Sequence, residues 1–149
     1  MKKFRFTLEP VATLRNLQEM RASDAFAKAN QALADRVAAL ERQQLRVAQF
    51  VESLIVRRTT GLPGTMHASF MQAYRTELAE EKVAAEARAK AEQEQEAARQ
   101  RWIEAHLQVR LVEKLRGRAR ERFQTELVRF EQRQLDDRLP RGGLFPEES

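Results

Sequence analysis

The sequence predicts an all-α protein: a long antiparallel two-helix coiled-coil hairpin whose second helix overhangs the first. Three observations predict it. Phe26, Leu33, Leu40, Val47 and Leu54 recur every seven residues, the spacing of a helix seam. Thr59-Thr60-Gly61-Leu62-Pro63-Gly64-Thr65 is the one strong cluster of helix breakers between Pro10 and Pro140. On both sides of it the chain is rich in Ala, Leu, Gln, Glu and Arg, which lose little entropy in a helix.

The first helix is expected over about residues 8–58, roughly 75 Å long at 1.5 Å per residue. Thr7-Leu8-Glu9-Pro10 supplies its start, with Thr as a cap, an acid in the first turn and Pro where no donor is needed. Val37 and Val51 fall four beyond Leu33 and Val47, while Ser23, Asn30 and Gln44 take the other companion positions. Val11, Leu14, Leu17 and Met20 follow a different phase, so a stutter is expected near residues 20 to 25.

The turn is placed at 59–65 and the second helix at about 66–138, more than 100 Å long. It opens with Phe70, Tyr74 and Leu78 on one face and passes through an alanine- and glutamate-rich stretch from Glu77 to Glu96. Folding back at residue 62 pairs positions whose numbers sum to roughly 124, as adjacent antiparallel helices require. Phe26 then meets Ala98, Leu33 meets Ala91, Val37 meets Ala87 and Leu40 meets Ala84, so large side chains face small ones. Leu17 and Met20 fall near Trp102, and Val11 and Leu14 near Val109 and Val112. Beyond Leu115 the first helix offers no partner, yet Phe123, Leu127 and Phe130 still form a stripe. Either this end packs on something else or the helix breaks, with Gly117 the candidate break. Residues 1–139 thus read as a single hairpin and 140–149 as a flexible tail.

Composition bounds function. Of 149 residues 42% are apolar, but much of that is alanine, which suits a narrow seam more than a globular interior. There is no cysteine, which removes disulfides, zinc-thiolate sites and a cysteine nucleophile. No window approaches the roughly 20 apolar residues of a membrane span, and the reading is a soluble cytoplasmic protein. The formal charge of +5 raises an anionic partner: nucleic acid, lipid surface or an acidic protein face.

Catalysis has little to stand on. His67 and His106 lack metal-ligand spacing, the central glycines are not followed by Lys-Ser or Lys-Thr, and the carboxylates lie on helical faces without a cleft. No enzyme activity, cofactor, metal or small-molecule substrate is expected. Arg110, Lys114, Arg118 and Arg122 sit four apart as a basic ridge with Arg116 and Arg120 nearby. The ridge is either a solvated face relieved by Glu104, Glu113 and Glu121 or a contact for an acidic protein surface. Nucleic acid is not the expected partner, because no aromatics interleave the ridge. Phe70, Tyr74 and Leu78 either pack on Leu54, Val51 and Val47 or form a docking site near the turn.

Two end motifs carry a resemblance. Lys3-Phe4-Arg5-Phe6-Thr7-Leu8-Glu9-Pro10-Val11 followed by Leu14-Arg15 resembles the N-terminal signature of the flagellar export protein FliJ. Arg101-Trp102-Ile103-Glu104-Ala105, Val112-Glu113-Lys114-Leu115 and Glu131-Gln132-Arg133-Gln134-Leu135-Asp136-Asp137 resemble its far end. The resemblance implies an antiparallel rod like the central stalk of rotary ATPases, without enzymatic activity of its own. It implies binding to a hexameric export ATPase (FliI-like) and an export-gate protein (FlhA-like), and escort of export chaperones. It implies a cytoplasmic protein peripherally associated with the inner-membrane export apparatus. Carried onto this sequence, Val11, Leu14, Leu17, Phe123, Leu127 and Phe130 would serve the ATPase ring, and Phe70, Tyr74 and Leu78 the gate. The injectisome counterpart, YscO, has a similar architecture. The alternatives are a stalk of that system, a basic coiled-coil scaffold for nucleic acid or another anionic surface, and a self-associating spacer.

Overall fold

The computed structural model describes residues 2–61 and 63–139; Leu62 in the turn and the expected tail at 140–149 lie outside the described residues. Two helices, α1 (Glu9–Thr60) and α2 (Gly64–Arg138), make up nearly all of it, and no strand occurs among the described residues. Both bounds fall within two residues of the expected ones.

The start of α1 differs in its chemistry from the expectation. The Leu8 carbonyl accepts the Ala12 N–H at 2.9 Å and Phe6 accepts from Glu9 at 3.1 Å. The Thr7 hydroxyl does not cap the helix, because Leu8 stands at the capping position and Thr7 lies one residue outside it. At the other end, Arg57 and Arg58 lie in the last turn of α1, where cations suit the carbonyl end of the helix dipole. Gly61 then takes φ 85°, the left-handed conformation that terminates helices and that glycine adopts without a Cβ clash. The first bond of α2 runs from His67 N–H to the Pro63 carbonyl at 3.0 Å.

The chain divides into two compact units: residues 19–104 form one, and the residues up to Gln18 with those from Ala105 onward form the other. In the 19–104 unit, Phe26 stacks on Trp102 at 6.0 Å, and Asn30 accepts from Gln95 at 2.7 Å. Gln43 meets Glu77, and Phe50 meets Phe70 at 5.4 Å. As numbers rise on α1 they fall on α2, the antiparallel hairpin pairing, with register close to that expected from the turn. Leu40, Ala91 and Ala98 are buried at 5–7% exposure, consistent with small α2 residues admitting the larger ones of α1. Phe26 stacks on Trp102, one helical turn beyond the expected Ala98, where two flat rings overlap. Met20, expected beside Trp102, is 64% exposed.

In the other unit Ala12 and Val112 are buried, and Glu9 pairs with Arg116. Val11 and Leu14, expected in the seam near Val109 and Val112, are exposed. The reason is the frame. Ala12, Arg15, Glu19, Ala22, Phe26, Ala29 and Leu33 are the buried or half-buried positions, one unbroken seven-residue pattern. The expected stutter is absent, and Val11, Leu14, Leu17 and Met20 simply lie off the seam. The companions of the heptad residues are Ala29, Gln43 and Phe50, three residues on, rather than Asn30, Gln44 and Val51.

Candidate protein-docking surfaces

The surfaces that the paired helices offer are their flanks. The first concerns the aromatic stripe of the discontinuous unit. α2 runs unbroken through Gly117 to Arg138, so the expected alternative of a break is not realised. Instead residues 2–6, which are not helical, lie along α2. Phe4 meets Phe123 at 5.6 Å, Lys2 Nζ stands 5.5 Å from the Phe130 ring centroid, and the Arg116 guanidinium 5.2 Å from that of Phe6. Arg120 stands 5.5 Å from the Phe4 ring. Alternate residues of the extended segment thus meet positions seven apart on the helix.

This segment is a strap over the stripe that the arm lengths alone would leave bare. Phe123 and Leu127 are half-buried, while Phe130 remains 44% exposed. Beside the strap, Lys2, Phe123, Glu126, Leu127, Phe130 and Glu131 line a groove of about 500 Å³. The strap is held by rings and cations. Among the described residues its one backbone hydrogen bond is the Phe6 carbonyl accepting from Glu9, because the flank of a helix has no free backbone groups to offer.

Arg116 anchors its base. Nη1 and Nη2 reach Glu9 at 2.6 and 3.1 Å, a two-point carboxylate clamp, and Nε lies 3.5 Å from Glu113 without a hydrogen bond. The Glu9 hydrogen bond, opposed by partial burial and helped by the Glu113 charge, raises the guanidinium above its already high ordinary pKa. Arg116 therefore stays charged at any working pH.

The remaining ring-directed residues occupy a different surface of the same unit. Val11, Leu14 and Leu17 are 37%, 50% and 41% exposed, and Leu111 and Leu115 of α2 are 53% and 38% exposed. The basic ridge is also intact. Arg110, Lys114, Arg118 and Arg122 are exposed and make no ion pair among the described residues. Glu113, expected to relieve them, turns to Arg116 instead. Each step of four residues rotates by about 40°, so the ridge winds slowly round the helix.

In the 19–104 unit the Phe70, Tyr74, Leu78 stripe grades from packing to surface. Phe70 packs on Phe50, with the Arg57 guanidinium 5.1 Å from its ring; Tyr74 is half-buried and Leu78 is 40% exposed. Val51 of α1, 38% exposed, stands level with Phe70, while Ile55, 60% exposed, lies nearer the turn.

Sequence reasoning missed one polar cluster here. Glu77 is buried at 8% exposure, accepting from Gln43 Nε2 at 2.6 Å and from Arg46 Nη2 at 2.8 Å. The same Gln43 amide reaches the Glu77 carbonyl at 2.9 Å. Gln43 at a half-buried seam position was the available signal, since a buried amide needs a partner.

Among the described residues no three His, Asp or Glu gather as a metal site, and no helix is long and apolar enough to cross a membrane. The class defined is an all-helical protein of paired long helices, with apolar and cationic surfaces on the helix flanks. The sequence matches the family described as Flagellar FliJ protein over residues 4–141, and the chain belongs to that family. Membership associates it with flagellar export, a type III secretion process. No curated protein and no solved structure matches the chain.

Proposed function

We propose that the chain is a non-enzymatic central-stalk and coupling component of a bacterial flagellar type III export apparatus. It works on the cytoplasmic side, peripherally associated with the inner-membrane machinery. Val11, Leu14, Leu17, Phe123, Leu127 and Phe130 engage the hexameric export ATPase ring. Phe70, Tyr74 and Leu78 engage the export gate, and the chain escorts export chaperones. The observation that carries this reading is the FliJ match over residues 4–141, on a chain whose exposed apolar residues fall into a set in each unit.

The ATPase performs the chemistry. A stalk with different residues on each flank meets the ring's subunits unequally and favours some of their conformations over others, which changes assembly or turnover. Truncating Phe123 and Phe130 together to Ala is expected to abolish stimulation of the purified ATPase while circular dichroism keeps full helicity. An ATPase rate equal to that with the unaltered chain would refute the ring contact.

A further inference from the structure

The charge is unevenly distributed. Residues 19–104 hold 13 Lys and Arg against 13 Asp and Glu, whereas the remaining residues hold 14 against 9. The whole excess of +5 therefore belongs to the discontinuous unit. Within it, Leu111, Leu115, Arg118 and Arg122 are spaced i, i+4, i+7 and i+11, so they share one face of α2. All four are exposed, and neither arginine is ion-paired among the described residues.

The Glu9–Arg116 pair fixes the register, which sets Leu14 level with Leu111 and Val11 close to Leu115. Counting about 100° per residue from the buried Ala12 and Val112, Val11 lies about 100° round from the seam and Leu115 about 60°, on the same side of the pair. They border the furrow between α1 and α2, with Leu111 about 100° round on its shoulder; Leu14, about 160° round from Ala12, faces away from it. The strap does not cover this side, because Arg118 lies about 160° round the helix from the Arg116 that holds Phe6.

We propose that this face, Val11 of α1 with Leu111, Leu115, Arg118 and Arg122 of α2, docks an amphipathic helix whose apolar stripe is flanked by carboxylates. The proposal rests on the docking reading of this unit and adds its partner's chemistry. A furrow bordered by aliphatic side chains from both helices takes the ridge of a third helix, as in ordinary helix packing. The unpaired cations select the sign of its flanks. A second copy of this chain fits poorly, since it would bring another net-positive surface against the first. Nucleic acid would satisfy the arginines and leave Val11, Leu111 and Leu115 wet.

The test uses the full chain and three synthetic 21-residue helical peptides, read by fluorescence anisotropy. One has a leucine stripe with glutamate flanks, the second the same stripe with lysine flanks, the third glutamate flanks with the stripe changed to serine. The first is expected to bind at least tenfold tighter than either of the others. V11S/L111S and R118E/R122E should each weaken it at least tenfold, with helicity unchanged by circular dichroism.

Equal binding of the lysine-flanked peptide, or indifference to either pair of substitutions, would overturn the proposal. So would tighter, Leu111-dependent binding to vesicles of phosphatidylglycerol and phosphatidylcholine, or Leu111-dependent dimerisation in sedimentation. ATPase stimulation by the F123A/F130A chain is read separately. Loss of peptide selectivity while F123A/F130A abolishes stimulation removes the partner chemistry alone; peptide selectivity kept while F123A/F130A stimulates like the unaltered chain removes the ring reading alone.

Discussion

The two units solve the same packing problem with different materials. Residues 19–104 pair two helices through an alanine-lined seam, a stacked Phe26–Trp102 pair and one buried carboxylate, with no net charge. The other unit buries Ala12 and Val112, leaves several leucines in water, closes its end with an extended strap and carries the whole charge excess. The difference teaches where stability and recognition divide. A closely approached, neutral seam holds helices together without inviting partners. A seam whose neighbouring apolar residues fall off the frame keeps a smaller core and a larger surface for others.

Three substitutions sharpen this contrast. The largest effect is expected from Ala98→Leu in the neutral unit. Ala98 is 5% exposed, and extra methylenes there must push the helices apart, at a cost of about 2–3 kcal/mol in urea denaturation followed at 222 nm. A loss below about 0.5 kcal/mol would mean the seam is loosely packed, and the contrast between the units would fail.

Glu77→Ala should cost about 1–2 kcal/mol, because it strips the Gln43 amide of its carboxylate partner in a half-buried position. The informative companion is Gln43→Leu with Glu77→Leu: a double variant near parental stability, but with broadened NMR lines, would mark the cluster as a register device.

Gly117→Ala acts in the opposite direction and by less. Nothing lies within 4 Å of the Cβ it would add, and the position is mid-helix, so a gain of about 0.5–1 kcal/mol is expected from the same denaturation curve. A loss instead would show that α2 needs to bend there.

The helices and their register were readable because heptad spacing, a Gly-Pro turn and chain continuity together leave one pairing. The choice of companion residues was not. Steps of three and four both approximate a helical repeat of 3.6, so Gln43 or Gln44 and Phe50 or Val51 fit equally on paper. Partners decided it: Gln43 serves Glu77 and Phe50 serves Phe70. The same ambiguity turned Val11, Leu14, Leu17 and Met20 into an expected stutter, because apolar residues were assumed to lie inside. The strap escaped helical reasoning altogether, since its period is two. Phe4 and Phe6 alternating with Lys3 and Arg5 was the signal of an extended segment with one apolar side.

The strap also bears on the order in which the molecule is made. Residues 19–104 are contiguous, so that unit has its whole sequence as soon as Glu104 emerges. Phe4 and Lys2 are synthesised well before their seats at Phe123 and Phe130. During translation these rings have nowhere native to go and remain available to chaperones or to the wrong surface. Pairing across so many residues must wait for Phe123 to emerge, which makes the seating of Phe4 a late event.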